Sequence, residues 1–86
     1  MDIAARYGGE EIAVIMPEVT IDTAANIAER LRSMIELLEF DWGAVTVSIG
    51  VGRAGSDVNS AKKLVEAAEE ALYSAKVEGK NRVVYI

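Results

Sequence analysis

The sequence predicts an α/β two-layer sandwich with the element order β-β-α-β-α-β. Three observations carry that expectation. Residues 45–52 alternate between apolar and very small side chains, which is the period of a strand. Residues 22–39 and 60–78 place their apolar side chains at helical spacing instead. Each helical segment lies between two strand-like segments, so helices and strands layer against one another. With 86 residues there is material for one small domain that buries a modest fraction of its surface.

The elements follow in order. Residues 2–7 read as a short strand that ends at Gly8-Gly9. Residues 11–16 read as the next, and Ile12, Ala13, Val14, Ile15 and Met16 put apolar groups on both faces, as in a strand buried on both sides. The two form a hairpin with glycine at its tip, and Pro17, which has no N–H, ends the pairing. In residues 22–39 the inward stripe is Ala24, Ile27, Ala28, Leu31, Ile35 and Leu38; Glu29, Arg30, Arg32, Ser33, Glu36 and Glu39 take most of the other face. Thr20 or Asp22 caps this helix by accepting from an otherwise unpaired N–H. Residues 40–44 form a loop with Gly43 as a turn residue.

In residues 45–52, Val45, Val47, Ile49 and Val51 face one way and Thr46, Ser48, Gly50 and Gly52 the other. A sheet with one solvated side explains this pattern, and so does another element lying close against the small side. Small residues are common on solvated strands, and a solvated side is the expectation. Residues 53–59 are a polar loop. Residues 60–78 form the second helix, with Ala61, Leu64, Val65, Ala68, Leu72 and Ala75 inward, Ser60 or Asn59 as N-cap and Gly79 as C-terminal cap. Residues 82–86 are a last apolar strand. The chain has no internal repeat and no low-complexity segment.

Composition removes several kinds of chemistry. The chain has no cysteine and no histidine, so disulfides, thiolate metal sites, imidazole catalysis and histidine-bound zinc are excluded. Catalysis or binding falls to carboxylates, lysines, arginines, hydroxyls and the backbone. A net charge of −5 argues against a broad surface for a nucleic acid polymer, though not against a small basic pocket for one phosphate group. The longest apolar run, residues 12–17, is too short to span a bilayer. Met1 is followed by Asp2 rather than by a basic and then apolar stretch, so the expected location is the cytoplasm.

Two constellations can carry chemistry. The first is Gly8-Gly9-Glu10-Glu11. Carboxylates on a turn offer oxygen ligands to a hard cation such as Mg²⁺, and the glycines let a phosphate approach the backbone. A plain hairpin turn with two solvated acids fits the same residues and, on spacing alone, fits them better. The second is Lys76, Lys80 and Arg82 around Gly79. Lysines four apart share a side if the helix persists, and can hold a polyphosphate through charge-assisted hydrogen bonds. A solvated basic helix end is again the plainer reading. An acidic turn together with a basic helix end is what a metal–nucleotide site requires, but periodicity does not show that the two meet.

A resemblance adds to this. The stretch Asp2-Ile3-Ala4-Ala5-Arg6-Tyr7-Gly8-Gly9-Glu10-Glu11-Ile12 closely resembles the signature of GGDEF domains, the diguanylate cyclases. Val47-Ser48-Ile49-Gly50-Val51 is similar to the family's second characteristic segment. The stretch from Ala71 through Leu72, Tyr73, Ala75, Lys76, Gly79, Lys80, Asn81 and Arg82 to Val83 is similar to its third. Three segments in the right order across the chain are specific in a way that GGEE alone is not.

The resemblance implies a nucleotide-cyclase, ferredoxin-like fold and a reaction in which two GTP molecules condense to cyclic di-GMP with Mg²⁺ or Mn²⁺. Each GTP sits on one of two facing protomers, and the 3′-hydroxyl of one attacks the α-phosphate of the other. By that likeness Glu10 is a metal ligand that also helps deprotonate the hydroxyl, and Glu11 is a further site position. Gly8 and Gly9 let the phosphates lie against the turn, and Lys76 and Lys80 hold the terminal phosphates. These roles suit phosphoryl transfer, which rests on positioning and charge stabilisation. Asp2 falls where the family often carries the last residue of an RxxD product-inhibition site, whose arginine would precede Met1.

The sequence also departs from the family. Ile12 replaces the aromatic residue after GGEE, and Glu69 stands where aspartate is usual. The family's first strand, with its metal-binding aspartate, and the helices that supply its guanine-binding residues have no counterpart here. The expectation is therefore a single truncated GGDEF domain over residues 1–86. Its missing strand would lie between the hairpin and the other strands, leaving edges that seek partners, by rearrangement or as a homodimer or strand-completed oligomer. Two functions compete: part of a diguanylate cyclase domain, or a catalytically inactive remnant that binds nucleotide or oligomerises. For the isolated chain the second is expected.

Overall fold

Six elements follow in the expected order in the computed structural model, which describes residues 3–6, 12–16, 19–41, 43 and 45–85. They are β1 (Ile3–Arg6), β2 (Ile12–Ile15), α1 (Ile21–Leu37), β3 (Ile49–Val51), α2 (Ala61–Val77) and β4 (Val83–Tyr85).

Both helices start where a side-chain oxygen can satisfy a free N–H. Thr20 Oγ1 accepts from the Thr23 amide at 3.1 Å, and Ser60 Oγ accepts from the Lys63 amide at 3.2 Å. Thr20 is thus the cap rather than Asp22, and Ser60 rather than Asn59. Helix α2 ends at Val77, and two residues on the chain turns away at Gly79, whose φ of +129° suits a residue without Cβ. The Lys80 amide then donates back to the Ala75 carbonyl at 2.9 Å, a Schellman closure.

The strands form two separate ladders. β1 and β2 pair antiparallel, from Ile3↔Ile15 to Arg6↔Ile12. β3 and β4 pair parallel, from Ile49↔Val83 to Val51↔Tyr85, with α2 as the crossover between them. Both helices pack on the β3–β4 pair. Among the described residues, β1–β2 hydrogen-bonds to neither β3 nor β4. Among the described residues, the expected strand over 45–52 narrows to Ile49–Val51, the three residues paired with β4.

The small side of β3 is covered, which corrects the expectation of a solvated side. A Cβ on Gly50 would strike the amide nitrogen of Leu72 and the carbonyl oxygen of Ala68, both backbone atoms of α2. A Cβ on Gly52 would lie 2.8 Å from the Ala68 amide nitrogen. The two glycines let α2 sit directly on the strand. The buried apolar residues among those described are all alanines, Ala24, Ala25 and Ala28 of α1 and Ala71 and Ala75 of α2. The larger side chains of α1 expected to point inward are more open, with Ile27 38% and Leu31 48% exposed, and Leu38, expected inward too, lies just past the helix end and is 51% exposed. No helix among the described residues is long and apolar enough to cross a membrane.

Candidate functional site

The β1–β2 register closes on Arg6↔Ile12, the residues on either side of segment 7–11 in sequence. Gly8, Gly9, Glu10 and Glu11, the expected phosphate turn and metal ligands, lie outside the described residues, as does Asp2 of the expected product site. Among the described residues, no group of three or more acidic side chains is placed to hold a metal ion.

The basic half of the expected site is described. Lys76 stands exposed in the last turn of α2, and Lys80 is exposed just beyond it. Among the described residues neither ammonium has a carboxylate partner. Their four-residue spacing does not set their relation, since the helix ends at Val77 and the Gly79 turn intervenes. Arg82, the third cation expected here, braces the turn: its Nε donates to the Lys80 carbonyl at 3.1 Å, and its guanidinium lies 3.8 Å from Glu78. A shallow depression lined by Val58, Asn59 and Leu64 lies at the opposite end of α2 and offers no charged group.

The turn that carries Lys80 is tied to two other elements by a polar network that sequence reasoning missed. Lys80 and Asn81 both have left-handed backbone, with φ of 63° and 48°. The Asn81 amide donates to Ser48 Oγ, just before β3, at 3.2 Å. Asn81 Oδ1 accepts from Arg32 of α1 at 2.8 Å, and Asn81 Nδ2 donates to Glu36 of α1 at 2.6 Å. Arg32 is fixed in turn by Glu29 and by Glu36, the latter at 3.3 Å, and its side chain is only 16% exposed. The Arg32 hydrogen bond holds the Glu29 carboxyl below its ordinary value near 4.5. Asn81 first, and Arg32 second, hold Glu36 below the same value. Arg32 is held above its own ordinary value, chiefly by Glu29. One signal for this network was present in the sequence: asparagine next to Gly79-Lys80 is among the residue types that tolerate left-handed backbone.

Residues 1–82 match the family described as diguanylate cyclase, GGDEF domain. The chain is 43% identical over 86 residues to diguanylate cyclase A of Treponema denticola, covering 95% of this chain and 23% of that protein. It is 38% identical over 90 residues to the response regulator PleD of Caulobacter vibrioides, covering 98% of this chain and 20% of that protein. Among solved structures it is similar to the GGDEF domain of DgcB from Caulobacter crescentus in complex with c-di-GMP, with a TM-score of 0.89 and 35% identity, over 98% of this chain and 51% of that one. The chain thus spans about a quarter or less of these relatives' length and about half of the matching structure. The family match over nearly the whole chain and the shared fold agree with the three motif segments: the chain belongs to the GGDEF family of diguanylate cyclase domains.

Proposed function

We propose that this chain is part of a diguanylate cyclase domain that joins two GTP molecules into cyclic di-GMP in second-messenger signalling. The observation that carries the reading is that all three motif segments fall, in order, within residues that match the family or a solved GGDEF domain. The chain's donors suit a hard divalent cation: carboxylate oxygens at Glu10 and Glu11, with no thiolate and no imidazole. When bound, Mg²⁺ or Mn²⁺ supplies positive charge to the phosphates and favours ionisation of the attacking hydroxyl. Glu10 would hold the metal and take up the 3′-hydroxyl proton at its carboxylate, and Glu11 is a further catalytic position. Gly8 and Gly9 admit the phosphates, and Lys76 and Lys80 hold the terminal phosphates, which leave as pyrophosphate. Asp2 belongs to a site for the product. GTP as substrate places the domain in the cytoplasm.

A second reading applies to the 86 residues by themselves: a truncated domain that binds nucleotide or assembles without catalysis. It is favoured by the two separate ladders among the described residues, since strand edges left open pair with another copy. Incubation with GTP and Mg²⁺ separates the readings. Cyclic di-GMP formed by this chain and abolished by Glu10→Ala supports the enzyme. No product, with calorimetric binding of GTP or cyclic di-GMP or with a dimer in light scattering, supports the module. A monomer that binds neither nucleotide overturns both readings for this chain.

A further inference from the structure

We infer that Arg32, Glu36 and Ser48 act as positioning residues for Lys80, by clamping Asn81 and so holding the backbone from which the lysine side chain departs. The inference rests on the reading of Lys80 as a contact to the terminal phosphates of GTP.

Two successive non-glycine residues with left-handed backbone do not hold that conformation unaided, and surrounding bonds must impose it. Here the amide and both side-chain polar atoms of Asn81 are taken. Its amide goes to Ser48, its side-chain oxygen to Arg32 and its side-chain nitrogen to Glu36. Lys80 contributes no side-chain bond to the turn; its amide and carbonyl are held by Ala75 and Arg82. The effort of fixing the turn therefore falls on its neighbour, while the Lys80 ammonium stays exposed and has no carboxylate partner among the described residues.

That division suits a lysine that must meet an anion. A long side chain on a mobile turn spreads its charge over a large volume, and ordering it on binding weakens affinity. A turn pinned to α1 and to the residue before β3 lowers that cost in advance. Arg32 suits the task because its guanidinium presents several donors in a fixed plane, so one side chain serves Glu29, Glu36 and Asn81 together.

The test compares the unsubstituted chain with Asn81→Gly, Arg32→Gln, Lys80→Ala and the double variant Asn81→Gly/Lys80→Ala. Glycine keeps the left-handed backbone accessible and removes the side-chain bonds, and Arg32→Gln removes one of those bonds without loosening the backbone at position 81. The first readout is amide hydrogen exchange. Asn81→Gly and Arg32→Gln should speed exchange at Lys80 and Asn81 by about tenfold or more, with mid-helix amides of α2 unchanged. The second is calorimetric titration with GTP and Mg²⁺. Both variants should weaken binding by roughly three- to tenfold, and the double variant should bind no more weakly than Lys80→Ala alone, because Asn81 acts through the lysine. Unchanged exchange at Lys80, or additive losses in the double variant, overturns the inference. Binding that depends on Lys80 but on neither Asn81 nor Arg32 overturns the inference and leaves the reading of Lys80 standing. No GTP uptake by the unsubstituted chain, or unaltered affinity in Lys80→Ala, overturns that reading, and the inference falls with it.

Discussion

Gly50 of β3 meets Leu72 of α2 backbone to backbone, with the hydrogen of Gly50 where any other residue would carry a Cβ. This closeness sets the depth at which α2 sits on the parallel pair, and so the position of the turn after α2 that carries Lys80.

Gly50→Ala should therefore destabilise the chain by roughly 3 kcal/mol, because the added methyl meets backbone that cannot rotate away. Gly55 has open space around its absent Cβ, and Gly55→Ala should cost less than about 0.5 kcal/mol. Urea denaturation of both variants measures the difference; equal midpoints would contradict the seating of α2 on β3.

The caps make a second prediction. Thr20→Ala and Ser60→Ala should each cost about 1 kcal/mol, since each leaves one helix amide without its acceptor. They lie at the starts of different helices, so the double variant should lose about the sum. Asn59→Ala should change stability by less than about 0.5 kcal/mol, because Ser60 is the residue that caps. A loss in Asn59→Ala as large as in Ser60→Ala would move the cap by one residue.

Element order, both helix starts and the Gly79 stop were legible because each depends on local chemistry: period, a short polar side chain, a residue without Cβ. The burial of α1 was not. Periodicity tells which residues share an arc, and Ala24 and Ala28 share theirs with Ile27 and Leu31. Packing on the β3–β4 pair buries the alanines and leaves the larger neighbours open. The small side of β3 was legible as a pattern but was assigned to solvent, since the helix that covers it begins ten residues after β3 ends. The site divides in the same way. Lys76 and Lys80 stand out as a motif, whereas Arg32 and Asn81 are 49 positions apart and meet only through the fold. On sequence alone Arg32 and Glu36 are two charges on a helix's polar face.

That open arc of α1 gives a third prediction. Leu31→Lys and Met34→Lys should each shift stability by less than about 0.5 kcal/mol, as both side chains are exposed in this chain. Ala28→Leu adds volume at a buried position and should cost about 1–3 kcal/mol. Urea midpoints of the three variants decide it; a large loss in Leu31→Lys would place the seam of α1 on the wrong arc.

The network around Arg32 makes stability depend on pH in a definite direction. Glu29 and Glu36 are held below their ordinary value near 4.5 in the folded chain, Glu29 chiefly by Arg32 and Glu36 chiefly by Asn81 and then Arg32. Below that value the unfolded chain takes up protons that the folded chain resists, so unfolding is favoured as acid is added. The contribution of these two groups is complete above about pH 4.5 and is lost as pH falls through their lowered folded values. Arg32→Gln removes the shared guanidinium and with it much of the lowering. Its thermal midpoint should lie below that of the unsubstituted chain at pH 7 and approach it at pH 3. Glu36→Gln should likewise flatten the acid limb, by removing one of the two titrating groups. Both chains carry nearly the same remaining acids, so general charge effects largely cancel in the comparison. Midpoints that stay equally far apart from pH 7 to pH 3 would show that Arg32 supports the fold by packing, without holding the two carboxylates in their charged form.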